Sequence, residues 1–155
     1  MIEVTEIIMK QLIMPHIALT VYKGKAKVTA HIKSLKMNVT IDQLVILKLI
    51  SLRPGISQQE LALSVYKDKS NLSRIIETLE KKGFVKRHLD IKSNRAVKKI
   101  TLTPKGKEYA NKFSEIAFAI QEKLIAGIPE KDLEIMKNSL EKIRTNMDNL
   151  QGDNI

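Results

Sequence analysis

The stretch "SNLSRII" (70–76) sets hydrogen-bonding side chains among apolar ones. Leu72, Ile75 and Ile76 stand at helical spacing, while Ser70, Asn71, Ser73 and Arg74 fall on the open side. Asn and Ser are mediocre mid-helix residues, and Lys, Glu or Ala would stabilise an exposed face more. A face that gives up helix propensity for donors and acceptors at fixed positions suits recognition of a polar partner. Two further polar groups lie nearby in sequence. Gln58 and Gln59 open the preceding helix, where first-turn N–H groups attract anions. Lys92, Asn94 and Arg95 belong to "DIKSNR" (90–95), a polar turn between two short stretches rich in β-branched residues.

Catalytic and metal chemistry find no such grouping. His16, His31 and His88 are scattered, and no His pair stands at i, i+3 or i, i+4, so no metal site is expected. No nucleophile elbow frames a serine, and the six glycines stand singly, without a phosphate-cradling loop. With no cysteine, a disulfide framework, a thiolate metal site, a cysteine nucleophile and a cysteine redox sensor are excluded. An enzyme is not expected, and no cofactor is implied. Apolar runs such as "LVILKLI" (44–50) are too short to span a bilayer, and the N-terminus lacks the pattern of a signal peptide. A cytoplasmic protein without a membrane partner is the expectation.

The net charge of +10 is concentrated. Residues 67–107 hold 13 Lys and Arg against 4 Asp and Glu, whereas residues 108–155 hold 6 against 9. A solubilising surface would spread its lysines along the chain. A basic block confined to one segment is the footprint of a polyanion-binding surface.

The elements that must position these groups follow from periodicity and punctuation. An N-terminal helical region shows Ile7, Ile8, Leu12 and Ile13 on one face. Pro15 either kinks it or opens a second helix running from about 16 to 34. Thr40 with Gln43 forms a capping-box pattern before a largely buried helix at 41–52, which "RPG" (53–55) ends. Ser57 with Glu60 is a second box, opening a short helix with Leu61, Ala62 and Val65 inward. "YKDKS" (66–70) is a turn, with Asp68 or Ser70 as cap of a third helix at about 69–82 that Gly83 terminates. "FVKRHL" (84–89) and "AVKKITL" (96–102) read as the strands of a hairpin. Thr103 and Pro104 open a long helix lined by Tyr109, Phe113, Ile116, Ala117, Ile120 and Leu124, and "GIPE" (127–130) interrupts it. In the last helix Leu133, Met136, Leu140, Ile143, Met147 and Leu150 are spaced 3, 4, 3, 4, 3, a heptad seam. The fold class is mainly α with a small β-hairpin wing: a winged helix-turn-helix flanked by N- and C-terminal helices.

"SQQELA" (57–62), "DKSNLSRIIETLEKKGFVKR" (68–87), "NRA" (94–96) and "LTPKG" (102–106), in this order and spacing, resemble the MarR family of transcription regulators. The resemblance covers about 65 residues within 43–106; the flanking helices fit by pattern only. It implies a homodimer whose chain ends interlock, binding a palindromic operator in double-stranded DNA, usually as a repressor. A small aromatic or phenolic ligand often weakens that binding. The implied domains are a dimerisation region at 1–36, a DNA-binding domain at 37–106 and dimerisation helices at 107–155. Arg95 stands seven residues before Leu102 where the family has six, which implies a wing one residue longer or a bulge.

Within this frame Arg74 is a reader of guanine O6 and N7 in the major groove. Asn71 and Ser73 contact bases or phosphate, and Ser70 is a cap, a phosphate ligand or both. Gln58 and Gln59 contact backbone. Lys92, Asn94 and Arg95 form the wing tip, with Arg95 and Lys92 suited to the minor groove. Arg95 has an alternative partner in Asp90 across the hairpin. Lys86, Arg87, Lys98 and Lys99 supply long-range attraction. The competing function is a winged-helix interaction module for protein or RNA, with only non-specific affinity for DNA.

Overall fold

Proline and capping residues set where the helices begin. The computed structural model describes residues 11–65, 69–92 and 95–150, with backbone alone at 91, 92, 95 and 96. Helix α1 (Ile13–Ser34) starts three residues earlier than its pattern suggested, with Pro15 in its first turn. There the missing N–H has no intrahelical partner to lose. Ile7, Ile8 and Asp68 lie outside the described residues. Helix α2 (Ile41–Leu52) has the expected bounds, and its capping box is complete. The Gln43 N–H donates to Thr40 Oγ1 at 3.2 Å, and the Thr40 N–H donates to Gln43 Oε1 at 3.1 Å. A two-residue strand β1 (Ile56–Ser57) leads into α3 (Gln58–Val65), followed by α4 (Lys69–Lys81). Strands β2 (Val85–Lys92) and β3 (Arg95–Leu102) precede α5 (Pro104–Ile125) and α6 (Glu130–Asp148).

Three expectations are corrected. The wing is three-stranded, in the order β1-β3-β2, because Ile56 pairs with Ile100 and Ser57 with Lys99. Both strands of the hairpin are longer than their apolar cores, so residues 90–92 and 95 belong to strands rather than to a turn. Pairing runs without interruption from Val85↔Leu102 to Lys92↔Arg95. The extra residue between Arg95 and Leu102 is therefore taken up by ladder and not by a bulge. Finally, Ser70 is inside α4 and is not its N-cap.

The chain divides into two compact units after Ile116. In the first, Leu44, Leu47, Leu61, Leu72, Ile76, Leu79 and Ile100 are fully buried. Each such side chain contributes roughly 1.5–3 kcal/mol of burial. Helix α4 ends in a Schellman turn: the Phe84 N–H donates to the Leu79 carbonyl and the Gly83 N–H to that of Glu80. Gly83 takes the left-handed conformation (φ 75°) that this turn requires. Helix α1 ends the same way, with Met37 N–H to Ile32 and Lys36 N–H to Lys33, but Lys36 (φ 53°) occupies the left-handed position.

Phe84 joins the wing to α5. Its ring lies 4.7 Å from that of Tyr109, and the Lys105 ammonium sits 4.5 Å above it. Thr103 caps α5 as expected: its hydroxyl accepts from the Gly106 N–H (3.1 Å) and donates to the Gly83 carbonyl (2.7 Å). Gly106 passes so close to the Phe84 carbonyl that a Cβ there would stand 2.0 Å from its oxygen.

The second unit is two helical segments joined around Gly127 (φ 79°). Leu133 is its buried residue. Along the seam Leu140 and Ile143 are half-buried, while Met136, Met147 and Leu150 are exposed. No helix among the described residues is long and apolar enough to cross a membrane.

Candidate nucleic-acid interface

Helix α4 sorts its residues by face. Leu72, Ile76 and Leu79 point into the core, and Ile75 packs half-buried against it. At spacings of three and four residues, Ser70, Arg74, Glu77 and Lys81 form the outward line, all exposed. Asn71 is exposed beside this line. Ser73 lies on its other flank, half-buried, and its hydroxyl stands 3.4 Å from Glu77 Oε1, a long contact.

The start of α3 is fixed against the sheet. Ser57 is buried, paired with Lys99 in the ladder, and shares a capping box with Glu60. The Ser57 N–H donates to Glu60 Oε2 at 2.8 Å, and the Glu60 N–H to Ser57 Oγ at 3.2 Å. The Ser57 side-chain bond, seconded by its backbone N–H, holds the Glu60 carboxyl below its ordinary pKa. The box ties Glu60 back to Ser57 and leaves the first-turn residues, Gln58 and Gln59, at the helix mouth. Their N–H groups precede the intrahelical ladder, as at any helix N-terminus.

These elements converge on one cleft of about 420 Å³, lined by Ser57, Gln58, Gln59, Lys69, Leu72, Val97 and Lys98. The start of α3, the start of α4 and strand β3 thus share a concave wall flanked by two exposed lysines. Gln58 and Gln59 are in this cleft, and Arg74 projects from the next turns of α4. Sequence pattern alone does not single out Lys69, and it gives Lys98 only a diffuse role. The signal for Lys69 was its place in the basic block immediately before Ser70.

Several cations of the block serve the fold. The Arg87 guanidinium clamps the Glu80 carboxylate, with Nε to Oε2 at 2.8 Å and Nη2 to the same oxygen. The Arg87 N–H adds a bond to Glu80 Oε1 at 3.2 Å. This hydrogen bonding lowers the Glu80 pKa and raises that of Arg87. Lys99 Nζ pairs with Asp90 Oδ2 at 2.7 Å. Lys82 Nζ donates to the Asn38 carbonyl (2.7 Å) and Lys105 Nζ to that of Lys82 (3.0 Å). Lys86 and Lys98 remain exposed on the strands. The side chains of Lys92 and Arg95 and the whole of Asn94 lie outside the described residues; the backbone places Lys92 opposite Arg95 at the distal end of the ladder. Among the described residues no group of three or more His, Asp or Glu could hold a metal ion.

Comparison with known proteins agrees with this geometry. Residues 39–97 match the model of the MarR family. The chain is 28% identical over 108 residues to the HTH-type transcriptional regulator BilQ of Clostridium symbiosum, covering 70% of this chain and 74% of that protein. It is 28% identical over 112 residues to the uncharacterized HTH-type transcriptional regulator YybA of Bacillus subtilis, covering 72% and 74%. Among solved structures, the transcriptional regulator PA3341 is 26% identical, with TM-score 0.77 over 90% of this chain and 100% of that one. The Staphylococcus aureus MepR–DNA complex is 21% identical, with TM-score 0.78 over 89% and 98%. The winged-helix elements, capping boxes and clustered cations of residues 39–97 thus agree with the MarR family model they match, and the chain is similar along most of its length to transcription regulators.

Proposed function

We propose that the protein is a homodimeric repressor that reads a palindromic operator and is released by a small aromatic or phenolic ligand. One observation carries the sequence-specific part: α4 presents Ser70, Asn71 and Arg74 outward beside a cleft that also holds Gln58, Gln59, Lys69 and Lys98. Arg74 reads guanine in the major groove, and Asn71 and Ser73 contact bases or phosphate beside it. Gln58, Gln59 and Ser70 fix the register on the phosphate backbone. Lys92, Asn94 and Arg95 at the end of the hairpin enter the minor groove. Residues 37–106 act as the DNA-binding domain, and 1–36 and 107–155 as dimerisation regions. Support for the dimer is the exposed apolar set of Met136, Met147 and Leu150 on the heptad seam. A dimer places two recognition helices on half-sites about one helical turn apart. Repression, release by ligand and a cytoplasmic location extend the family resemblance.

Selection of duplexes by the purified chain from a random pool tests the reading. A palindrome with half-sites about one turn apart is the expected product. Arg74→Ala is expected to lose about 1–3 kcal/mol on the selected site and to relax preference at one position. Equal binding of the parent to the selected duplex, an unrelated duplex and RNA at physiological salt would instead favour an interaction module.

A further inference from the structure

Arg87 lies in the most basic part of the chain, six residues past the end of the recognition helix, and looks like a phosphate ligand by composition. Its geometry says otherwise. In the ladder it stands opposite Ile100, which is fully buried, so its side chain projects from the sheet face turned toward the helices. Lys86 and His88, on either side, project from the opposite face and are exposed. The Arg87 side chain is 29% exposed and that of Glu80 35% exposed, and all three hydrogen bonds between these residues close on the two oxygens of one carboxylate. Glu80 is in the last turn of α4 and Arg87 is the third residue of β2, so the clamp spans the Gly83 turn. Among the described residues, the turn is also held by backbone bonds, by Thr103 at the base of the hairpin and by the Lys105 ammonium on the Lys82 carbonyl. The clamp is a side-chain bond that fixes the direction in which the wing leaves the recognition helix.

We infer that Arg87 and Glu80 are positioning residues: their clamp holds the wing at the angle that lets it and α4 engage adjacent grooves together, without either residue touching DNA. The inference rests on the DNA-binding reading of α4 and the wing. It makes a prediction of unusual sign. Glu80 is a negative charge in a basic surface, and on charge alone its removal strengthens DNA binding. As a positioning residue, its removal weakens binding.

The probe is a duplex selected by the parent chain from a random pool, titrated over a range of salt concentrations with parent, Glu80→Gln, Arg87→Lys and Arg87→Gln. Helical circular dichroism first establishes the temperature range in which each variant is folded. Within that range Glu80→Gln is expected to bind the selected duplex roughly 3–10-fold more weakly, in line with loss of one partly exposed ion pair with fixed geometry. The dependence of affinity on salt should be unchanged, because no phosphate contact is lost. Arg87→Lys, which keeps one bond to Glu80, should retain more affinity than Arg87→Gln. Hydroxyl-radical footprints of Glu80→Gln should lose protection in the minor groove while keeping it at the major-groove contacts. The inference is overturned if Glu80→Gln binds as tightly as the parent or more tightly. It is equally overturned if Arg87→Gln lowers the salt slope by about 0.9, the signature of a direct phosphate contact. A parent that enriches no sequence at all overturns the operator reading itself, an outcome distinct from either.

Discussion

The two compact units bury their apolar residues very differently. Up to Ile116 the core is closed within one chain: among the described residues, eleven large aliphatic side chains from four helices and the sheet are fully buried. From Ala117 onward, Leu133 is buried, while Phe118, Leu124, Ile135, Met136, Met147 and Leu150 are between 44% and 66% exposed. The heptad spacing of Met136, Met147 and Leu150 is that of a buried seam, yet one chain leaves those positions in water. The first unit closes a core of its own, although α1 leaves Ile13, Val21 and Tyr22 exposed. The second has the pattern of a surface that awaits another helix, which is why the dimer is proposed from it.

The comparison breaks most sharply at the seam. Met136→Asp with Met147→Asp alters positions that are exposed in the single chain. If a second copy covers them, unpaired charge in that interface costs about 3–5 kcal/mol of association. Sedimentation at micromolar concentration should then show a monomer whose winged helix melts as in the parent. A variant that sediments like the parent would leave the seam without a partner.

The next effect is inside the first unit. Gly106→Ala forces a Cβ against the Phe84 carbonyl, which the sheet and the Thr103 cap hold in place. Overpacking of this kind costs about 1–3 kcal/mol. Thermal melting should show it, with the self-association of the second unit's seam unchanged. A smaller effect appears with acid. Glu80 and Glu60 both have folded pKa values below the ordinary 4.5, the first through Arg87 and the second through Ser57. Their contribution is present above the unfolded value and disappears as pH falls through about 4.5 and below. Melting temperature measured from pH 6 to pH 3 should fall, and Glu80→Gln should show a shallower fall than the parent. The smallest change is a gain. Lys36→Gly relieves a left-handed residue in the Schellman turn that ends α1 and should add about 0.5–1 kcal/mol of stability.

Local rules read much of this fold. The bounds of α2 follow from Thr40, Gln43 and Pro54, and the ends of α4 and α5 from Gly83 and Thr103, because each signal acts within four residues of its effect. What escaped depends on distant pairing. Two residues cannot show a period, so β1 becomes a strand only through Ile100 and Lys99. Asp90 and Lys92 resemble turn residues, and only the opposite strand makes them ladder. The same holds for the site. The outward face of α4 was legible from its spacing, but charge alone could not separate Arg87 and Lys99, engaged by Glu80 and Asp90, from Lys69 and Lys98, which flank the cleft.

The strand order has one more consequence. Among the described residues β2 is an edge, eight residues long, with no strand on its outer side. A flat, apolar edge of that length would template pairing with other chains and seed aggregates. In "VKRHLDIK" only Val85, Leu89 and Ile91 are apolar, and Lys86, Arg87, His88, Asp90 and Lys92 separate them. Two copies stacked edge to edge in parallel register would set lysine against lysine. The basic wing is thus also its own protection against fibril-like stacking, and neutralising its lysines to weaken DNA binding would remove that protection as well.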